Sequence, residues 1–249
     1  MNRIDLSGRT AVITGGAQGI GYAIAERYLA SGATVVLWDA DRGRLEQAVA
    51  TLSTTGTARG VVVELTDDAS VQAAAAREPR IDILVNNAGI TGGNGPTWEL
   101  DPAVWRRVVD VNLIAPYLTC RAVVPKMIAS GWGRIVNIAS VAGMGVASLH
   151  SPGYSATKAA VISLTKTTAV DVAGANIQVN AIACGGVLTP PFEAYLAGAT
   201  PEQRASLYQM VPAGRLGRPE EYASLAVYLA AGEHYLVGQV ISPNGGLVV

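Results

Sequence analysis

The sequence predicts an α/β protein built on a single doubly wound parallel sheet of about seven strands with helices on both faces. Three observations carry this. Short β-branched runs alternate with longer helical patterns along the whole chain. The strand runs are continuously apolar, as in a parallel sheet covered on both sides. The first strand passes through a glycine-rich turn directly into a helix.

In chain order, residues 10–14 read as a buried strand and 19–30 as a helix. A second strand is expected over 33–38, a second helix over 42–52 and a third strand over 60–63. A short helix over 68–77 precedes a fourth strand at 81–86. One long helix should run from Pro102 to about residue 129, with proline in the first turn, where its missing N–H costs nothing. A strand over 134–138, a helix over 154–173, a strand over 177–182, a helix over 219–231 and a strand over 239–242 follow. Between the last two of these strands, 185–217 is rich in proline and glycine. It should hold one or two short helices and form a lid over the carboxyl ends of the strands. No linker or fixed repeat divides the chain, so 1–249 reads as one domain.

Half of the 249 residues are hydrophobic and 15% are charged, which excludes a disordered chain. The balance of 18 Lys+Arg against 19 Asp+Glu argues against a nucleic-acid partner. Two cysteines, Cys120 and Cys184, and two histidines, His150 and His234, leave no basis for a disulfide scaffold or a metal centre. Residues 1–5 carry no apolar leader and the longest uncharged runs are broken by Asn, Gly and Pro. A cytoplasmic location without a membrane partner is expected.

The turn reads Thr14-Gly15-Gly16-Ala17-Gln18-Gly19-Ile20-Gly21, a T-G-x-x-x-G-x-G spacing. Its glycines let the backbone approach a pyrophosphate, and the helix behind supplies free N–H groups. No Gly-Lys-Ser/Thr follows, which disfavours a phosphotransferase P-loop. Asp39, at the end of the second strand, is placed to bind both ribose hydroxyls of an adenosine and to repel a 2′-phosphate. The positions beside it, Gln18 and Ala40, are neutral, while Arg42 and Arg44 read as solvated residues opening the next helix. The cofactor expected is NAD. Further on, Tyr154 and Lys158 stand at i and i+4 on one helix face, where an ammonium would lower a phenol's pKa and make it an acid/base group.

In this set of residues the chain resembles the short-chain dehydrogenase/reductase family, in its compact Rossmann-type branch. The resemblance spans essentially the whole length and rests on Thr14 to Gly21, Asp39, Asn86-Asn87-Ala88-Gly89, Asn112, Ser140, Tyr154-Ser155-Ala156-Thr157-Lys158 and Gly245-Gly246. It implies an NAD-dependent alcohol dehydrogenase/reductase. Tyr154 would exchange a proton with the substrate oxygen and Ser140 would orient that oxygen. Lys158 would lower the Tyr154 pKa and hold the nicotinamide ribose, and Asn112 would bind a water of a proton relay. The cofactor would lie along Gly15, Gln18, Gly19, Ile20, Asp39, Glu64, Leu65, Asn87, Ala88 and Gly89, then past Tyr154, Lys158, Val187 and Thr189. The resemblance also implies a homotetramer built on the long helix and the Tyr154 helix, with Leu247-Val248-Val249 at a further interface. Two departures stand out. Cys184-Gly185 replaces the usual Pro-Gly, and the loop from Ser140 to Tyr154 is about one residue longer than is common.

The substrate pocket should draw on Thr91 to Asn94, Val141 to His150, Gly186 and Pro190 to Tyr195, with Asn94, His150 and Tyr195 as polar candidates. Arg204 and Arg215 are the cations able to reach it from the 185–217 segment. Similarity around Asn112 and over Gly131 to Asn137 to dehydrogenases of sugar acids points to a small-molecule substrate: a polyol, sugar, sugar acid or other small hydroxy compound. A 3-oxoacyl thioester reductase and an NAD(H)-binding regulator without turnover are the alternatives.

Overall fold

In the computed structural model, residues 4–145, 151–232 and 234–248 are described. The chain runs through β1 (Thr10–Thr14), α1 (Gly19–Ala30), β2 (Thr34–Asp39), α2 (Arg42–Leu52), β3 (Ala58–Val62), α3 (Asp68–Arg77) and β4 (Ile83–Asn86). It continues through α4 (Pro102–Val109), α5 (Ala115–Ser130), β5 (Gly133–Ser140), α6 (Pro152–Val172) and β6 (Ile177–Cys184). The last elements are α7 (Pro190–Gly198), α8 (Pro201–Gln209), α9 (Pro219–Ala230) and β7 (Val240–Ile241). Every strand pair is parallel, in the order β3-β2-β1-β4-β5-β6-β7. The direction of winding reverses between β1 and β4, so a crevice opens there outside the carboxyl ends of the strands.

Two apolar layers sandwich the sheet. On one face Ile24, Tyr28, Leu45 and Leu52 of α1 and α2 pack with Tyr222, Ala226 and Val227 of α9. On the other, Val71 of α3, Val123 and Met127 of α5, and Ala169 and Val172 of α6 cover Val12, Leu84, Ile135 and Val179. Proline occupies the first turn of α4, α6, α7, α8 and α9, positions where its fixed φ suits the helix. At the amino ends of the strands, the Arg9 and Arg134 guanidiniums lie over the Trp132 ring, 3.7 and 4.3 Å from its centroid.

The strands agree with the expected ones to within a few residues, β5 and β6 each reaching two residues further, to Ser140 and Cys184. The single helix expected over 102–129 runs as continuous helical backbone over Pro102–Ser130, with one irregularity inside it. Asp110–Ile114 forms a π turn that joins α4 to α5. The Ala115 N–H bonds to the Asp110 carbonyl, five residues back. Pro116, which has no N–H to give, sits just beyond, so regular bonding cannot pass through this point. The 29 residues Pro102–Ser130 are long and apolar enough to cross a membrane by length and composition, and half of the most apolar window is buried inside the molecule.

A polar network crosses the sheet's second face. The Asn86 amide donates to Asn137 Oδ1 at 2.8 Å, and the Asn137 amide donates to Thr165 Oγ1 at 2.8 Å. Thr119 Oγ1 donates to Asn86 Oδ1 at 2.6 Å. These four buried residues tie β4 and β5 to α5 and α6.

Candidate active site

The crevice begins at the β1 turn. Gly15 has φ 60°, and a Cβ there would come within 2.9 Å of the Ala88 backbone, so only glycine lets β1 and β4 meet this closely. The Thr14 hydroxyl accepts from the N–H groups of Asn87 and Ala88 at 3.0 and 3.1 Å. The Asn87 amide donates to the carbonyls of Thr14 and Gly15 at 3.0 and 2.9 Å. Asn87 therefore fixes the shape of the turn from behind.

A cavity of about 360 Å3 runs from this turn across the strand ends. Gly15, Gln18, Gly19 and Ile20 form its floor. Asp39, Glu64, Leu65, Asn87, Ala88, Gly89 and Thr189 line it as well. Asp39 accepts from Ala17 N at 3.3 Å and Asp41 N at 3.1 Å. It is not the cap of α2, since Asp41 takes that place. Arg44 is solvent-exposed in the first turn of α2, as expected, and its guanidinium also donates to Gln18 Oε1 at 3.1 Å and pairs with Asp41 at 3.2 Å. Glu64 is exposed and accepts through Oε1 from both the N–H and the hydroxyl of Thr66, and these bonds hold its carboxyl below the usual range. The cleft and its glycine turn suit an extended dinucleotide with its phosphates over the start of α1.

Thr189 and Pro191 also line a second cavity of about 520 Å3, so the two adjoin. Ser140, at the end of β5, and Tyr154, in the first turns of α6, face this second space together with Asn94 and Tyr195. The Ser140 hydroxyl accepts from Ala142 N at 3.1 Å and hydrogen-bonds Tyr154. Burial pushes the Tyr154 pKa up, outweighing the lowering by Ser140. Lys158 is buried, with Nζ 5.6 Å from the Tyr154 ring centroid, and donates to the Ile138 carbonyl at 2.7 Å. Burial pushes its own pKa down to about 8. The expected lowering of Tyr154 by Lys158 is not what the chain alone produces, because burial of the phenol dominates. Cys184, paired with Ser140 across β5 and β6, is buried, and its thiol is pushed up to about 12. It stays protonated and is no nucleophile.

Asn112 lies in the π turn. Its side chain accepts from Ile90 N and donates to Ile90 O, both at 2.8 Å, and donates to Thr157 Oγ1 at 3.1 Å. A Cβ on Gly89 would lie 3.3 Å from Asn112 Oδ1 and 3.4 Å from Lys158 Nζ, so the two side chains flank one glycine. Val187 lines neither cavity. It is buried and bridges Gly217, closing the base of the 185–217 segment. His150 lies outside the described residues.

Sequence reasoning missed Arg107, Thr66 and Ile90 in the first cavity and Leu207, Met210, Val211, Leu216 and Leu247 in the second. The apolar spacing Leu207, Met210, Val211 is a helix-face signal that could have found three of them. Arg204 and Arg215 do not reach the second cavity. Arg204 donates to the Ala199 and Ala197 carbonyls, and Arg215 holds both oxygens of Glu221.

Residues 9–198 match the sequence profile of a family described as short chain dehydrogenase. The chain is 40% identical over 243 residues to cis-4-hydroxycyclohexanecarboxylate dehydrogenase of Sinomonas cyclohexanicum, covering 96% of both. It is 37% identical over 247 residues to 2-dehydro-3-deoxy-L-rhamnonate dehydrogenase (NAD(+)) of a Sphingomonas species, covering 96% of this chain and 95% of the relative. Among solved structures, a proposed NAD(P)-dependent gluconate 5-dehydrogenase from Beutenbergia cavernae with bound NADP at low occupancy superposes with TM-score 0.91. That protein is 38% identical, with 99% of each chain covered.

Proposed function

The chain belongs to the short-chain dehydrogenase/reductase family, and from that premise we propose that it moves a hydride between NAD(H) and a small secondary alcohol or its ketone, with Tyr154 as the acid/base group. The broader activity, an NAD(P)-dependent alcohol/ketone oxidoreductase, comes with the family. The observation that supports the finer reading is the adjoining pair of cavities: Thr189 and Pro191 line both, and Ser140 and Tyr154 face the second. The dinucleotide supplies the hydride acceptor or donor.

In this reading Ser140 donates a hydrogen bond to the substrate oxygen and Tyr154 gives or takes its proton. Lys158 holds the nicotinamide ribose and carries the proton's charge onward. Asn112 holds Ile90 and Thr157 in place and offers its remaining Oδ1 lone pair to a relay water near Gly89. The segment 185–217 acts as the lid, hinged where Val187 meets Gly217.

Nicotinamide absorbance with a panel of secondary alcohols, ketones and a 3-oxoacyl thioester tests the proposal. Turnover is expected, and Tyr154→Phe should reduce it at least a hundredfold. NADH binding without turnover across the panel would favour the regulator.

Asp39 supports NAD over NADP, through repulsion of a 2′-phosphate. Arg44, held beside it by Gln18, is the latent counterweight. Asp39→Ser should therefore raise kcat/KM with NADP at least tenfold while lowering it with NAD. A parent enzyme preferring NADP would refute the assignment.

A further inference from the structure

The polar side chains of the second cavity are Thr91, Asn94, Ser140, Ser151, Tyr154, Thr189 and Tyr195, each of them a hydroxyl or an amide. Ser140 and Tyr154 are the pair assigned above to the reacting oxygen. Ser151 Oγ donates to Asn94 Oδ1 at 2.7 Å, so these two satisfy each other in part. The 185–217 segment and the C-terminal turn contribute Phe192, Leu207, Met210, Val211, Leu216 and Leu247. Leu196, Val211 and Leu216 are buried in one small cluster with Phe192 and Leu207 packed on it, so this wall is built by packing. Among the described residues, no Lys, Arg, His, Asp or Glu lines the cavity. Arg204 and Arg215, the nearest candidates by sequence, are committed to backbone carbonyls and to Glu221.

Such walls discriminate. A carboxylate carried into this space gives up hydration with no cation to replace it. Each carbinol group of a polyol turned toward the leucines loses a hydrogen bond, worth about 10- to 100-fold in binding. Each methylene buried there contributes roughly fourfold in the opposite sense. About 520 Å3 is enough to enclose a small organic molecule.

We infer that this cavity selects an uncharged secondary alcohol or ketone whose skeleton is apolar beyond the reacting oxygen, an alicyclic or branched aliphatic compound, over polyols and sugar acids. The inference rests on the proposed function, since it takes Ser140 and Tyr154 as the oxygen site. In oxidation the carbinol C–H bond breaks, its hydride reduces NAD+, and the hydroxyl proton passes to the Tyr154 oxygen. The alcohol loses two electrons to become the ketone, and reduction reverses each step.

The test compares 4-methylcyclohexanone, 4-oxocyclohexanecarboxylate and 5-ketogluconate. Reduction with NADH is followed at neutral pH, and binding of each to the enzyme–NADH complex is measured by calorimetry. The methyl compound should exceed the carboxylate at least a hundredfold in kcat/KM, with the sugar acid slower still, and affinities should fall in the same order. Equal or better performance by either anion in rate or affinity overturns the inference, as does failure of the methyl compound to bind. Binding in the expected order without any turnover would sink the proposed chemistry while leaving the selectivity standing.

Discussion

Burial acts on Tyr154 and Lys158 in the same direction, toward the neutral form of each. For Tyr154 the raised pKa means a protonated phenol at neutral pH, ready to donate to a ketone oxygen, while alcohol oxidation must wait for phenolate. We therefore expect kcat/KM for oxidation to climb about tenfold per pH unit through neutral and mildly alkaline pH, with reduction nearly flat there. Ser140→Ala removes a lowering influence and should move the oxidation limb further to alkaline pH in a pH–rate profile. For Lys158 the sign runs through stability. Between about 8 and the ordinary lysine value the unfolded chain binds the proton and the folded chain does not, so this residue's contribution rises with pH across that window. Below it the buried charge costs the fold about 3 kcal/mol. Lys158→Met should be the more stable protein at pH 7 in urea melts, the gap narrowing as pH rises past 8, and should be inactive.

At the scale of elements, the π turn is the feature that matters most to the site and the one least visible in the sequence. A continuous apolar pattern from Pro102 onward reads as one helix, and Pro116 looks like one more residue within it. Only the missing N–H at Pro116, acting with the bonds Asn112 makes to Ile90, breaks the ladder there. The glycine turn, Asp39 and the Tyr154–Lys158 pair were legible because each is local: a few adjacent residues state the whole geometry. The second cavity was half legible, because its far wall comes from α8, the irregular stretch after it and Leu247, elements with no fixed spacing to one another. The Asn86–Asn137–Thr165 chain was hidden for the same reason, its members lying 28 to 51 residues apart. Asn137→Ala would strand buried donors and acceptors on Asn86 and Thr165. It should cost about 1–3 kcal/mol, read as a lower midpoint in denaturant, with little change in cofactor affinity.

Across the whole molecule, α5 and α6 leave apolar side chains in solvent. Tyr117 is 50% and Val170 is 76% exposed. We propose, following the family resemblance, that these helices carry the contacts of a homotetramer. Light scattering should give four chains per particle, and Val170→Glu should lower the mass and the melting temperature; a monomeric parent would rule the assembly out. The turn that holds Leu247 also bears on the site. Asn244 ties it down, donating to the Val248 carbonyl at 2.9 Å and accepting from Gly246 and Val248, and this turn delivers Leu247 into the second cavity. Anything that loosens this turn therefore loosens the chamber wall as well.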